Sequence, residues 1–237
     1  DNITGTTIRN EACISEDSDK DGNPIDDRDS NPKKWVKYED DEDYDNIILK
    51  SFDLALRKFI IAVSDDTKIE NSEYLKNTEG TYKRAPVVDT SKLNTKDENG
   101  KIITTATYNH TKEPVEVKKN DIVVYMLRVY NEGEIDGYAA EIKDHLPSNL
   151  EFVDGDFNKQ YGWTVSEDGR TVTTKYLENA KINKAVKNEN PTTPEKTYTL
   201  SYKEVPIMCK VKDIAKTNEN ITNIADITKY EDENKNT

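Results

Sequence analysis

Three residues far apart in the sequence each stand alone as the polar member of an apolar stripe: Lys58, Asp144 and Asn223. Read at the two-residue period of a strand, Phe52, Leu54, Leu56, Ile60 and Ala62 share one face, with Lys58 in its middle. Asp144 shares a face with Ala140, Ile142 and Leu146, and Asn223 with Ile221, Ala225 and Ile227. Burying an ammonium without a partner costs on the order of several kcal/mol. A buried lysine is therefore paired with a carboxylate or held neutral, and a neutral amine is a nucleophile. Amine, carboxamide and carboxylic acid together are the reactants for an intramolecular amide bond. The amine attacks the Asn223 carbonyl, a protonated Asp144 polarises that carbonyl and carries the proton, and ammonia leaves. The competing reading is a buried Lys58–Asp144 ion pair with no bond made, and Asn223 as a turn residue at a strand end.

The elements that must carry these residues are short strands. Val115–Val117 and 121–130 alternate, the second with Val123, Tyr125, Leu127 and Val129 on one face and Ile122, Val124, Met126 and Arg128 on the other. Further strands are expected at 150–153, at 162–165 and 170–176 as a hairpin across Glu167-Asp168-Gly169, and at 198–202 and 205–211. Gly, Asp, Asn and Pro punctuate the runs, and no stretch has a helical period. The pattern predicts an all-β fold, an antiparallel immunoglobulin-like β-sandwich with long polar loops.

Composition narrows the function. With 47 Asp and Glu against 34 Lys and Arg, the net charge is −13, which disfavours nucleic acid and anionic membranes as partners. No apolar run approaches the length of a membrane span. Two cysteines, Cys13 and Cys209, are too few for a disulfide framework; the sequence leaves their pairing open, and the plainer reading is two small unpaired strand residues. Two histidines without zinc spacing, and no phosphate loop or nucleophile elbow, leave conventional catalysis little to use. Trp163, Tyr161 and Tyr176 could line a sugar platform, but aromatic residues on alternating strands belong more often to a core.

The N-terminal segment repeats the C-terminal one. Ile8, Asn10, Ala12 and Ile14 match Ile221, Asn223, Ala225 and Ile227 at identical spacing. Residues 1–15 are thus expected to be the last strand of a preceding repeat, 16–46 an acidic linker, 47–230 the domain proper and 231–237 the start of the next linker. Within the linker, Asp17, Asp19 and Asp21 precede Gly22 as in the first half of an EF-hand-type calcium loop. The second half departs from it, because Arg28 stands where a bidentate Glu is needed, although Asp26, Asp27 and Asp29 offer other carboxylates. The segment reads either as a calcium site or as a solvated acidic spacer held extended by self-repulsion. Residues 64–104 read as a long polar insertion, with a short hairpin around Ala85 to Val88.

Val117 to Tyr125, Val129-Tyr-Asn131-Glu-Gly133, and Ile142-Lys-Asp144-His-Leu146-Pro147-Ser-Asn-Leu150 together resemble a known signature. It is the GD-x-V-x-Y … V-x-N-x-G … V-x-D-x-L-P-x-G-L pattern of repeat domains in Gram-positive surface proteins. The likeness covers roughly residues 46–230 and is strongest to the CnaA-type isopeptide-forming domains of pilins and adhesins. Asn120 and Asn149 stand where the pattern has glycine, and both tolerate a positive φ. The resemblance implies that Lys58 is the bond-forming lysine, Asn223 its asparagine partner and Asp144 the acid. It also implies an extracellular, wall-attached parent protein on a bacterial cell surface. The expected function is a structural stalk or spacer, crosslinked once and without turnover, that needs no cofactor and has neighbouring repeats as partners. The alternative is a ligand-binding adhesin module that presents the 64–104 insertion or a sheet edge to a host surface ligand.

Overall fold

The computed structural model describes residues 7–26, 28, 42–65, 80–188, 197–216 and 218–237. The chain divides into two compact units, Asp1–Ser51 and Phe52–Thr237. In the first, β1 (Thr7–Cys13) pairs antiparallel with β2 (Glu42–Ile48), placing Asn10 opposite Asp45. Residues 42–46, expected in the linker, are thus strand, and the larger unit begins at Phe52 rather than at residue 47. The part of the acidic linker between residues 29 and 41 lies outside the described residues.

The second unit opens with β3 (Leu54–Ser64), β4 (Val87–Asp89), β5 (Thr107–Asn109), β6 (Ile122–Asn131), β7 (Gly137–His145) and β8 (Leu150–Phe152). A single-turn helix α1 (Asp156–Lys159) follows, then β9 (Thr164–Val165) and β10 (Thr171–Thr174). The chain closes with β11 (Val186–Asn188), β12 (Thr197–Thr199), β13 (Tyr202–Val211) and β14 (Ile224–Asp232). One four-stranded sheet has the order β3-β6-β13-β8 and the other β14-β7-β10-β9, with two-stranded β4–β5 and β11–β12 ribbons alongside. Every pairing is antiparallel, and the two large sheets enclose one core, so the unit is an all-β sandwich. Its first strand, β3, and its last, β14, are edge strands of different sheets. No helix among the described residues is long and apolar enough to cross a membrane.

The alternation in β6 builds two layers. Val123, Tyr125, Leu127 and Val129 point into the main core, against Ile142, Leu146 and Val172 of the opposite sheet. Ile122, Val124 and Met126 point the other way, into a second cluster with Phe59, Ile61 and Met208. Tyr82, Ala85, Val153 and Phe157 lie over that outer cluster, so β6 is buried on both faces and all ten of its residues are inaccessible. In β3, Leu54, Leu56 and Ile60 face the main core as expected, with Lys58 among them. A bulge between Ile60 and Ala62 then reverses the parity: Ala62 joins the outer cluster and Val63 takes the inner face. A register shift where β7 meets β14 likewise puts Ala139, rather than Ala140, in the core beside Ile142.

Val115–Val117, expected as a strand, forms none and pairs with no strand among the described residues. Asn120 takes the positive φ that its turn requires, +70°, whereas Asn149 has no positive φ. The described part of the insertion folds back on the sandwich. Leu93 is 1% exposed, and the Thr90 hydroxyl both donates to the Tyr198 carbonyl and accepts from the Tyr198 N–H. Residues 66–79 lie outside the described residues.

Pro206 sits within β13, opposite Met126, where a central strand does not tolerate proline. The segment following β8 resolves this, because side chains there take over from a paired strand. Trp163 Nε1 donates to the Pro206 carbonyl at 2.7 Å. Asn158 Nδ2 donates to the Met208 and Val153 carbonyls, and its Oδ1 accepts the Met208 N–H, each at 2.8 Å. Asn158 is fully buried and serves β13 as a missing strand would. Replacing it with alanine removes three hydrogen bonds: the Met208 N–H loses its partner, at about 1–3 kcal/mol, and the Met208 and Val153 carbonyls each lose one of two donors, keeping the N–H groups of Val153 and Gly155. We therefore expect Asn158→Ala to lower unfolding free energy by at least about 2 kcal/mol in urea denaturation, whereas Asn188→Ala, on an exposed ribbon, changes it by less than about 0.5 kcal/mol.

Candidate functional site

Lys58 lies on β3 opposite Leu127, and Asp144 lies on β7 between Ala225 of β14 and Val172 of β10. The two therefore come from different sheets and meet across the core. Lys58 Nζ donates to Asp144 Oδ2 at 2.5 Å, with the lysine side chain 10% exposed and the aspartate 0%. Asn223 directly precedes β14. Ala225 stands opposite Asp144, so Asn223, two residues earlier on the same side of the chain, is a diagonal neighbour of the carboxyl. The structure thus brings together all three residues singled out in the sequence.

The lysine–aspartate pair is buried. The Lys58 ammonium position is 4.7 Å from the centroid of the Tyr125 ring. Cys209, fully buried and unpaired, packs nearby, and burial pushes its thiol up. The same desolvation acts on the pair itself. Burial lowers the Lys58 pKa although Asp144 opposes the shift, and burial raises the Asp144 pKa although Lys58 opposes it. Both groups are driven toward their uncharged forms, and a single proton moved along the hydrogen bond reaches that state.

The third partner is left without bonds of its own. Asn223 Oδ1 and Nδ2 are both buried and accept or donate no hydrogen bond, and neither does Asp144 Oδ1. The Asn223 amide is near enough to Asp144 to help stabilise its carboxylate, yet makes no hydrogen bond of good geometry to it. Each buried polar group left unpaired costs about 1–3 kcal/mol, so this is an expensive arrangement for a resting side chain. A nucleophilic amine, a protonated acid and an uncommitted carboxamide can do one thing together. In that reaction the Lys58 nitrogen would bond to Asn223 Cγ, the Cγ–Nδ2 bond would break, Asp144 would relay the proton, and ammonia would leave a neutral secondary amide.

The aspartates considered for calcium are arranged otherwise. Asp19 Oδ1 accepts the N–H groups of Asp21 and Asn23, both at 2.9 Å, and Gly22 closes the turn at φ +82°. The Asn23 backbone bond and then its side chain hold the Asp19 carboxyl below its usual pKa. Asp97 and Asp232 build the same five-residue turn, accepting from residues two and four positions on. The same turn thus occurs three times, at Asp19, Asp97 and Asp232. Asp17, Asp19 and Asp21 do not converge as a ligand set, and among the described residues no group of three or more His, Cys, Asp or Glu could hold a metal ion. Asp27 and Asp29 lie outside the described residues.

Sequence reasoning left out part of the site. Tyr125 was placed on the inner face, but its contact with Lys58 depends on β3–β6 register, and Cys209 on β13–β6 register. A cluster of Arg57, Arg84, His110 and Lys112 beside the trio has no local motif, since its members come from three segments. Of the aromatic residues considered for a sugar platform, Trp163 is buried in the core, while Tyr161 and Tyr176 pack edge to face on each other. No family model, curated protein or solved structure matches the chain.

The raised Asp144 pKa has a measurable consequence. Relative to the unfolded chain, folding takes up a proton at this carboxyl, so its contribution weakens as pH rises above the ordinary aspartate value of 3.8. In a Lys58→Met chain the opposing lysine charge is gone and this effect stands alone. Chemical denaturation is expected to show Lys58→Met losing stability from pH 4 to pH 8 relative to Lys58→Met/Asp144→Asn. Parallel pH profiles for the two variants would contradict the assignment.

Proposed function

We propose that the larger unit is a self-crosslinking structural module, in which Lys58 and Asn223 form an isopeptide bond assisted by Asp144. The observation that carries this reading is the buried, unbonded Asn223 carboxamide beside a lysine–aspartate pair that burial drives toward its neutral forms. The bond replaces a costly buried charge pair and an unsatisfied amide with one neutral linkage. It is a single event without turnover, and so not enzymatic in the usual sense.

The position of the bond supports a mechanical role. Lys58 is on the first strand of the unit and Asn223 abuts the last, each at a sheet edge. Force applied through the two ends of the unit would pass through the covalent link and bypass nearly all of the sandwich. Closing a loop of more than 100 residues stabilises by roughly 5 kcal/mol in the chain-entropy account, on the analogy of a disulfide. Together with the sequence resemblance, this favours an immunoglobulin-like stalk or spacer module of a Gram-positive cell-surface adhesin, with neighbouring repeats as its partners. The match between the Asn10 and Asn223 segments supports a repeated arrangement of such units.

Intact-protein mass spectrometry tests the chemistry directly. The wild-type chain is expected to be lighter than its sequence mass by one ammonia, and the Lys58→Ala and Asp144→Ala chains to have full mass. Peptide mapping should recover a branched peptide joining Lys58 to Asn223. A wild-type chain of full sequence mass would sink the proposal and leave Lys58 and Asp144 as a buried ion pair.

A further inference from the structure

A cavity of about 440 Å³ opens beside the trio, between β3, the unpaired segment 111–117 and residues 219–223. Val117, Val123, Leu150 and Ile221 give it an aliphatic stretch of wall, beside Lys58, Tyr125 and Asn223. Its rim carries Arg84 and Lys112; Arg57, Arg84 and Lys58 act electrostatically on Lys112, and Lys112, Arg57 and Arg84 act on His110. In a chain of net charge −13, this is a local concentration of the minority sign. The groups crowd one another. Burial, then Arg57, Arg84 and Lys58, lower the Lys112 pKa, while burial, then Lys112, Arg57 and Arg84, lower that of His110.

None of these cations is neutralised among the described residues. Arg84 Nη2 donates to the Glu113 backbone carbonyl, and Lys112 Nζ to that of Lys58. Arg57 stacks on the Tyr108 ring and donates to the Leu56 carbonyl. Glu132, which Arg57 also influences, is occupied by the Ala106 N–H and the Tyr108 hydroxyl. Glu113 and Glu219 border the cavity but form no ion pair with its rim, Glu219 accepting instead from the Lys216 N–H. Moreover, Arg84 Nε and His110 Nδ1 are buried without a hydrogen bond of good geometry among the described residues, although the Arg84 backbone lies close enough to act on the His110 ring. Unpaired buried polar atoms and uncompensated cations at the mouth of a partly aliphatic cavity describe a receptor for an anion with an apolar body.

We propose that this cavity binds a carboxylate carried on an aliphatic stem, the carboxylate at Arg84 and Lys112 and the stem along Val117, Val123 and Ile221. Arginine offers a carboxylate two parallel donors, and lysine adds a point charge. Such a group occurs at a peptide C-terminus ending in an aliphatic residue and on a short fatty acid. Lys58 and Asn223 also line the cavity, but Arg84 and Lys112 take no part in the crosslink, so the mass measurement and a binding measurement can fail independently.

Isothermal titration calorimetry on the full chain tests the site with N-acetyl-leucine and hexanoate as probes for the two sources. At least one is expected to bind saturably, with hexylamine, which reverses the head-group charge, giving no binding. An Arg84→Gln/Lys112→Gln chain, verified as folded by its thermal melt, is expected to bind about tenfold or more weakly. Absence of saturable binding by both carboxylates, or equal affinity in the variant, would overturn the site. Inorganic sulfate binding as tightly as the better carboxylate would overturn the role of the aliphatic wall.

Discussion

An ammonium group placed in the apolar face of a sheet sets the terms for the larger unit. Lys58 has neighbours on β3 that all pack into the core, so its charge cannot be turned outward without unpacking the strand. It can be matched by a counter-charge or removed. Asp144 supplies the match from the opposite sheet, but at 0% exposure that carboxylate carries its own desolvation penalty. The pair is thus held in place by packing that it does not itself favour. Forming an amide resolves the conflict, because neither charge remains to be solvated.

That packing is supplied by the burial of β6 on both faces. The β3-β6-β13-β8 sheet has the main core on one side and the Phe59–Met126–Met208 cluster on the other. A strand enclosed in this way cannot slip by one residue without exchanging its two apolar sets, so its register is firmly determined. Lys58 inherits its position from that register through its pairing with Leu127, and Cys209 through the pairing of β13 with β6. The bulge at Ile61 comes after Lys58, so the lysine keeps the inner face while the strand end is re-aimed. Gly137 fixes the opposite partner: a Cβ there would overlap the Phe52 ring and lie 2.7 Å from the Glu231 carbonyl, so only glycine lets β7, β14 and the start of the unit close together.

The features legible in sequence were those governed by two-residue alternation. The division of β6 into two faces, the inward set of Leu54, Leu56, Lys58 and Ile60, and the hairpin of β9 and β10 all follow from local pattern. Ala62 and Ala140 were misplaced because a bulge adds a residue without leaving a mark in hydrophobicity. Val115–Val117 alternates like a strand because one side of it packs, yet alternation cannot reveal that no described strand pairs with it. Asn158 was invisible for the opposite reason. A buried asparagine that replaces a strand has the same local appearance as one in a surface turn, and only the missing β13 partner explains it.

The acidic composition concealed two different uses of charge. Asp19, Asp97 and Asp232 spend their carboxylates on backbone N–H groups two and four residues on, so the central member of the Asp17, Asp19, Asp21 series is satisfied locally. Such turns need no counter-ion, and much of the negative charge can remain on the surface as a solubilising, self-repelling coat. Against that background the cations matter more than their number suggests. Several basic side chains do pair with acids, as Arg128 does with Glu204 at 2.6 Å. Arg84 and Lys112 belong to a chain with carboxylates in excess and still pair with none among the described residues, because nearby backbone carbonyls take their donors. A local deficit of acid in an acid-rich protein therefore comes from the fold bringing three basic segments to one opening, not from composition.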